Sequence, residues 1–337
     1  MFKKIILLSI TLVLLIGLKP VQAQIPGEGL TISPPIFELK IAKGEVQKQT
    51  IKITNPTTKL MEVYPLVMNF KASGEGGEPA FYPANDEEAS YSLANWISFR
   101  QTKLALTPEQ AVEFEFQIKV PSDAEPGGHY GVVFFATEPP KPERDTSQVA
   151  VASMIGSLIL VRVPGAIVEK ASLEEFSAPH FVFTAPQFLK NLLSHIGSDN
   201  FKNRVQNWGK ITLVTRVANL GNVHFKPKGE ITIKNWRDKK VTALPVNSAR
   251  GNVLPDSIRK FEEKWQTNQW AYGRFSASLN LAYGESEKNL NSILYFWVIP
   301  WWLIVILILI LVLIITLVIR HFRRRQKKSP KLKVQLG

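Results

Sequence analysis

The chain contains no cysteine among its 337 residues. This absence excludes disulfides, thiolate metal sites and thiol catalysis. Small extracellular domains commonly depend on disulfides, so any part of this chain outside the cell must be held together by packed hydrophobic cores. Segments of roughly 125–140 residues are large enough to form such cores.

Acidic residues are missing from both ends of the chain. Residues 1–23 contain three lysines, and residues 320–337 contain eight basic residues, with no Asp or Glu in either segment. Those eleven charges account for most of the formal net charge of +13. Because the basic excess lies at the two ends, it indicates targeting and membrane topology, and it does not predict a nucleic-acid partner.

The sequence also lacks the common motifs of catalytic, metal and cofactor sites. Its five histidines do not show metal-ligand spacing, and no Gly-x-Ser-x-Gly, phosphate-binding glycine loop or His-Glu-x-x-His is present. His129, in a Gly-Gly-His-Tyr-Gly turn, is expected to be a hydrogen-bonded residue at a strand entry. We therefore predict no metal, no cofactor and no enzymatic activity, although catalytic groups can also converge from distant positions.

The longest run without charge extends from Phe296 to Ile319. Its twenty-four residues would form about 36 Å of helix, and a bilayer's hydrocarbon core is about 30 Å thick. The sequence therefore predicts a transmembrane helix with an outer aromatic flank within residues 293–319, followed by a basic cytoplasmic tail at 320–337. The predicted membrane-anchoring residues are Trp297, Trp301 and Trp302 at the outer interface and Arg320, Arg323, Arg324 and Arg325 at the inner one.

The N-terminus has the pattern of a secretory signal peptide. Lys3 and Lys4 precede an apolar stretch from Ile5 to Leu18, and Val21-Gln22-Ala23 predicts cleavage after residue 23. The alternative is an uncleaved anchor, which would give two membrane spans. With cleavage, we predict a single-pass protein of the cell membrane, with the lipid bilayer as a partner and the N-terminal ectodomain outside.

Alternation of apolar and polar residues predicts β-strands throughout the ectodomain. The clearest case is Val112 to Val120, whose odd and even positions separate into polar and apolar faces. Similar runs occur at 36–41, 49–54, 210–219 and 272–283, with turn signals between strands. We predict an all-β fold of two tandem immunoglobulin-like β-sandwich domains, at 24–165 and 166–292, plus the C-terminal transmembrane helix. Residues 186–207 are predicted to form a helical insertion in the second domain.

Two stretches of the first domain, Leu30 to Val63 and Pro121 to Phe135, resemble the immunoglobulin-like domain of bacterial WxL-interacting-protein-type surface proteins. In the second domain, residues 219–233 and 254–259 resemble the immunoglobulin-like domain that follows it in those proteins. The resemblance implies an ectodomain that binds peptidoglycan, a cell-wall polymer, or another surface protein. The insertion at 186–207 departs from that family's pattern.

Aromatic side chains are the candidates for ligand or partner contact. They are Trp236, Trp265, Trp270 and Tyr82, because exposed aromatic rings stack on sugars and anchor protein interfaces. The alternative for each is packing in a sandwich core. Trp236 is the preferred exposed residue because its neighbours Arg237, Lys239 and Lys240 are charged.

Three functional hypotheses follow. The first is a membrane-anchored extracellular binding or scaffold protein that contacts cell-wall polymer or another surface protein. The second is a chaperone-like assembly subunit that offers a sheet edge to a secreted or surface client. The third is a sensor, which is less favoured because the eighteen-residue tail holds no domain.

Overall fold

A computed structural model describes residues 29–84, 91–139, 154–196 and 198–326. The predicted signal peptide and most of the predicted cytoplasmic tail lie outside the described residues. The described chain consists mainly of antiparallel β-strands in several sheets, with one long apolar helix near the C-terminus. This arrangement confirms the predicted all-β fold with a C-terminal apolar helix.

The chain divides into two units, and most residues of strands β1 to β10 belong to the first. The second unit consists of the chain from Gly165 onward together with Lys71–Ala80 and Pro126–Gly128, which are parts of β4, β5 and β9 and the residues next to them. The first unit's strands are β1 (Thr31–Ser33), β2 (Ile36–Lys40), β3 (Val46–Thr54), β4 (Met61–Ser73), β5 (Glu78–Tyr82), β6 (Ile97–Ser98), β7 (Leu104–Leu106), β8 (Ala111–Lys119), β9 (Gly127–Ala136) and β10 (Met154–Val163). One sheet has the order β1-β3-β8-β6, and the other β2-β10-β9-β4-β5, with β7 also paired to β4.

Side-chain alternation produces the first core. In β8, Phe114, Phe116 and Ile118 are fully buried while Glu115 and Gln117 between them are exposed, as the period of two requires. Phe114 packs edge-on against Phe135 of the opposite sheet, with ring centroids 5.1 Å apart. The buried apolar faces of the two sheets therefore meet in one hydrophobic core.

The second unit repeats the sandwich arrangement with different elements. Its strands are β11 (Ala171–Ser177), β12 (Phe181–Thr184), β13 (Lys210–Asn219), β14 (Lys228–Lys234), β15 (Lys240–Val246), β16 (Ser257–Gln266), β17 (Gly273–Tyr283) and β18 (Lys288–Pro300). Its helices are α1 (Gln187–Leu193), α2 (Asp199–Gln206) and α3 (Trp301–Gln326). A three-stranded sheet, β11-β13-β16, and a five-stranded sheet, β12-β18-β17-β14-β15, enclose a second core.

Helix α3 starts later than the sequence predicted. Phe296 to Pro300 belong to β18, where Phe296 and Val298 are buried in the second core, and the helix begins at Trp301. Trp297 is therefore a strand residue, and its backbone N–H donates a hydrogen bond to the His180 carbonyl. Within the described residues, one helix is long and apolar enough to cross a membrane, at Trp301–Arg323.

Candidate functional site

One hydrogen-bonding edge of strand β8 is only partly paired with a neighbouring strand among the described residues. On its first side, β8 pairs with β3 along its whole length, from Thr54 opposite Ala111 to Val46 opposite Lys119. On its second side, the described residues provide only the two-residue strand β6, at Ile118 and Gln117. The segment 111–116 of β8 therefore presents backbone groups on that side without a paired strand among the described residues.

A groove of about 510 Å³ lies beside β8, reaching from Lys48 of β3 across the outward side chains of β8 to residues 98–101 on the open side. Basic, acidic and uncharged polar side chains line the groove: Lys48, Arg100, Glu113, Glu115, Ser98, Gln101 and Gln117. Lys48 and Glu115 form an exposed ion pair at 2.9 Å, and the Gln117 amide donates to the Ser98 hydroxyl at 3.1 Å. Phe99 packs on Phe114 and ties the far wall of the groove to the core.

The groove's chemistry suits an extended, polar ligand. A peptide could pair with the backbone of β8, as in strand addition to a sheet edge, and its side chains would meet the charged walls. A hydroxyl-rich polymer could hydrogen-bond to the same amide, hydroxyl and carboxylate groups. The sequence does not reveal this site because most of its residues are ordinary solvent-facing strand positions, and the open side of β8 depends on the length of β6.

Trp265 packs at the margin of the second core, which agrees with the sandwich-core alternative given for each aromatic candidate. Its ring lies 5.9 Å from Phe275 and 6.3 Å from Phe296, both of which are buried in the second core. The half-buried ring therefore packs inside the second unit. Tyr82, at the end of β5 in the first unit, is also half-buried.

Trp236 and Trp270 are exposed, and both belong to turns of the second unit. Trp236 lies in the β14–β15 turn, where the Arg237 guanidinium lies 4.4 Å from its ring centre. The Tyr272 ring lies 6.2 Å from Trp236, and Trp270 is 59% exposed in the same β16–β17 connection as Tyr272. Tyr272 therefore links the two turns, because its ring packs against Trp236 and it lies two residues after Trp270.

The predicted anchoring residues divide between β18 and α3. Trp301 and Trp302 form the first turn of α3, where Phe188 lies 6.4 Å from Trp301 and Tyr272 lies 6.1 Å from Trp302. Arg320, Arg323, Arg324 and Arg325 lie in the last turns of the same helix. The aromatic and basic residues are therefore separated by the apolar length of α3, apart from Trp297 in β18.

A second polar cavity, of about 550 Å³, lies between α1, α2 and the sandwich of the second unit. The buried Lys190 ammonium lines it and donates to the Trp208 carbonyl at 2.6 Å. Burial lowers the pKa of Lys190, and the charge of Lys210 lowers it further. This buried hydrogen bond holds helix α1 on the sandwich.

The environment of His129 is set by two backbone carbonyls. His129 is buried, with its ring nitrogens 3.1 Å from the Ser92 carbonyl and 3.0 Å from the Glu125 carbonyl. It therefore has the hydrogen-bonded position at a strand entry that the sequence predicted. No group of three or more His, Cys, Asp or Glu residues is arranged to hold a metal ion among the described residues.

No protein-family model matches this sequence, and no curated protein matches it. Several solved structures are similar at low scores. The class 5 fimbriae chaperone CfaA is 12% identical with a TM-score of 0.36, over 81% of this chain and 100% of that chain. The CsuC–CsuE chaperone–tip adhesion subunit pre-assembly complex from Csu pili of Acinetobacter baumannii is 10% identical with a TM-score of 0.33, over 81% and 100%.

A domain of a human protein is also similar. The PapD-like domain 7 of human CEP192 is 12% identical with a TM-score of 0.27, over 44% of this chain and 94% of that domain. TM-scores this low do not support assigning a family or a function to this chain.

Proposed function

We propose that this chain is a single-pass, membrane-anchored extracytoplasmic binding or scaffold protein. The observation that carries the proposal is the direct passage from β18 into α3 at Pro300 and Trp301. The last strand of the second unit is thereby joined to an apolar helix of membrane-spanning length without an intervening linker.

The charge pattern supports an orientation for this anchor. Basic residues follow the apolar part of α3, and tryptophans begin it, which is the arrangement expected for a cytoplasmic C-terminus and an outer aromatic interface. In this orientation the two sandwiches lie outside the cytoplasm. The predicted signal peptide at 1–23 would direct the same topology.

The groove beside β8 is the proposed contact site for the ligand. Its paired charges and amide groups fit a cell-wall polymer or an extended segment of another surface protein. The resemblance of residues 30–63 and 121–135 to a peptidoglycan-binding type of domain favours the polymer. The two ligand classes make different demands on β8, because only a peptide pairs with its backbone.

A chaperone-like assembly subunit is the second candidate. The specific observation in its favour is the open side of β8 at 111–116, since an exposed strand edge can bind a client by strand addition. A scaffold and a chaperone differ in the fate of the partner. A scaffold keeps a stable partner in place, whereas a chaperone prevents the loss of an unstable one.

The test is binding of the purified full-length chain, held in lipid nanodiscs, to isolated cell walls and to a fraction of secreted proteins from the same cells. We compare the wild type with a Glu113→Lys and Glu115→Lys double variant, which inverts the charge of the groove wall. A Glu125→Lys variant, with an exposed glutamate outside the groove, is the matched control. We expect the double variant to lose most of the binding and the control to retain it.

Equal binding by all three proteins would show that the groove is not the contact site. Absence of binding to both walls and secreted proteins would overturn the proposed function. Deletion of the protein separates the two candidates. A chaperone role requires that one surface or secreted protein becomes unstable in the deletion strain, whereas a scaffold role predicts that its partner is released but remains intact.

A further inference from the structure

Three segments of the second unit lie at the start of α3: helix α1 after β12, the β16–β17 connection and the β14–β15 turn. Strand β12 runs parallel to the end of β18, with Thr184 opposite Pro300, so α1 begins beside the first turn of α3. Strand β17 begins opposite Val298, which places the β16–β17 connection at the same end. The β14–β15 turn joins them, because Lys234 pairs with Ser276 in β17.

The aromatic side chains of these segments contact one another and α3. Phe188 of α1 packs edge-on against Trp301, and Tyr272 packs edge-on against Trp302. Trp236 packs against Tyr272. These ring contacts connect the predicted helical insertion and two turns of the sandwich to the point where the apolar helix begins. We call this set of segments the anchor end of the second unit.

Large apolar side chains at the anchor end face solvent. Phe188 is 66% exposed, Leu192 60% and Trp270 59%, and Ile196 and Trp236 are also exposed. The buried Lys190, two residues from Phe188 and from Leu192, fixes α1 with these side chains outward. A short helix that shows apolar groups to solvent beside a span of membrane length is typical of a segment lying in the bilayer interface.

The charge of the anchor end is complementary to lipid headgroups. Apart from the buried Lys190, residues 186–207 and 235–240 contain five basic residues against two acidic ones. Arg237 and Lys239 are exposed in the β14–β15 turn, next to Trp236. Tryptophan and basic side chains together favour the region between acyl chains and anionic phosphates.

We propose that the anchor end is a membrane-docking surface, seated in the interface of the same bilayer that α3 spans. In this arrangement α1 lies on the membrane, with Phe188 and Leu192 among the acyl chains, and Trp236 and Trp270 at the headgroup level. The occupant of the surface is the lipid bilayer, because the exposed side chains are continuous with the first turn of the spanning helix. This inference rests on the proposed membrane anchoring.

The absence of cysteine allows a clean test with single labels on the full-length chain. Leu192→Cys places an environment-sensitive fluorophore on α1, and Leu220→Cys places it on a leucine of similar exposure at the opposite end of the second unit. Both proteins are reconstituted in vesicles of phosphatidylcholine and phosphatidylglycerol. Quenching is measured with aqueous iodide and with lipids that carry a bromine on the acyl chain.

We expect the label at residue 192 to be several-fold less accessible to iodide than the label at residue 220, and to be quenched by brominated lipid. Protection should decrease in vesicles without phosphatidylglycerol; equal protection in both would overturn the part assigned to the basic residues. Equal iodide access at both positions would overturn the docking surface. Protection in native membranes but not in lipid vesicles would do the same, because a protein would then be the occupant.

Failure of the underlying membrane anchoring is detected separately. The wild-type chain should float with the vesicles after treatment with alkaline carbonate. If it does not float, the proposed function and the docking surface both fail. If it floats and residue 192 remains open to iodide, only the docking surface fails. A Phe188→Ser and Trp270→Ser double variant should still float but should lose the protection of the label at residue 192.

Discussion

Trp265 and Trp270 lie five positions apart in the sequence, yet their environments are different. Trp265, in β16, rests on Phe275 and Phe296 at the margin of the second core, whereas Trp270 lies in the connection that follows and is mostly exposed. The sequence alone could not separate them, because both follow polar residues in a segment with weak alternation. Trp265 is half-buried because its ring contacts Phe275 of β17 and Phe296 of β18, which belong to the opposite sheet.

Replacing each tryptophan by alanine tests this assignment. We expect Trp265→Ala to lower the free energy of unfolding of the second unit by about 2–4 kcal/mol, since it removes a large ring from a packed site. Trp270→Ala should change it by less than about 0.5 kcal/mol, as for other exposed positions. The measurement is denaturant unfolding of the full-length chain in detergent. Similar losses for both variants would contradict the core position of Trp265.

Among the elements, helix α3 has a start that the sequence could not locate. The run from Phe296 is apolar without interruption, so hydropathy could not locate the boundary between strand and helix. In β18, Phe296 and Val298 face the second core and Trp297 faces outward, which is a period of two. Pro300 ends the strand, and proline at this position is compatible with the helix that begins at the next residue.

Whether an element could be predicted from the sequence depends on which of its faces are buried. Strand β8 alternates fully because one face is buried and the other is solvated, and its period of two identifies it from the sequence. Strand β9 is buried along its whole length, so it shows no alternation that could define its ends. The groove beside β8 was not predictable, because it depends on the shortness of β6 and not on any residue type.

The apolar length of α3 leads to a quantitative prediction. Sixteen of the seventeen residues from Leu303 to Ile319 are Leu, Ile or Val. At about −0.5 kcal/mol each, they favour insertion by about 8 kcal/mol, whereas one central arginine costs about 3 kcal/mol. We therefore expect Ile310→Arg to leave the chain in the membrane, and a Leu307→Arg, Leu311→Arg and Ile314→Arg triple variant to release it.

The measurement is extraction of cell membranes with alkaline carbonate, followed by detection of the chain in pellet and supernatant. The single variant is the control for the triple variant, since it shows that one charge is tolerated. Release by the single substitution would show that α3 is held less firmly than its composition indicates. Retention of the triple variant would show that another part of the chain holds it on the membrane.

For the molecule as a whole, the distribution of charge predicts its topology. Basic residues without any acidic partner occupy residues 1–23 and 320–337, and the segment between them is almost balanced. The positive-inside rule assigns the end after α3 to the cytoplasm. The sandwiches would then lie on the opposite side of the membrane, where a chain without cysteine depends on its two cores alone for stability.

Two single-cysteine variants test this topology directly, because the wild-type chain offers no thiol to a maleimide. Ser73→Cys places a thiol at an exposed position at the end of β4, and Ser329→Cys places one in the basic tail. On intact cells, a membrane-impermeant maleimide should label the variant at residue 73 and leave the variant at residue 329 unlabelled until the cells are permeabilised. The reverse pattern would invert the orientation of α3, and labelling of neither variant before permeabilisation would place both segments in the cytoplasm. Either result would remove the basis for an extracytoplasmic binding role, because the groove beside β8 could not then reach a wall polymer or a surface protein.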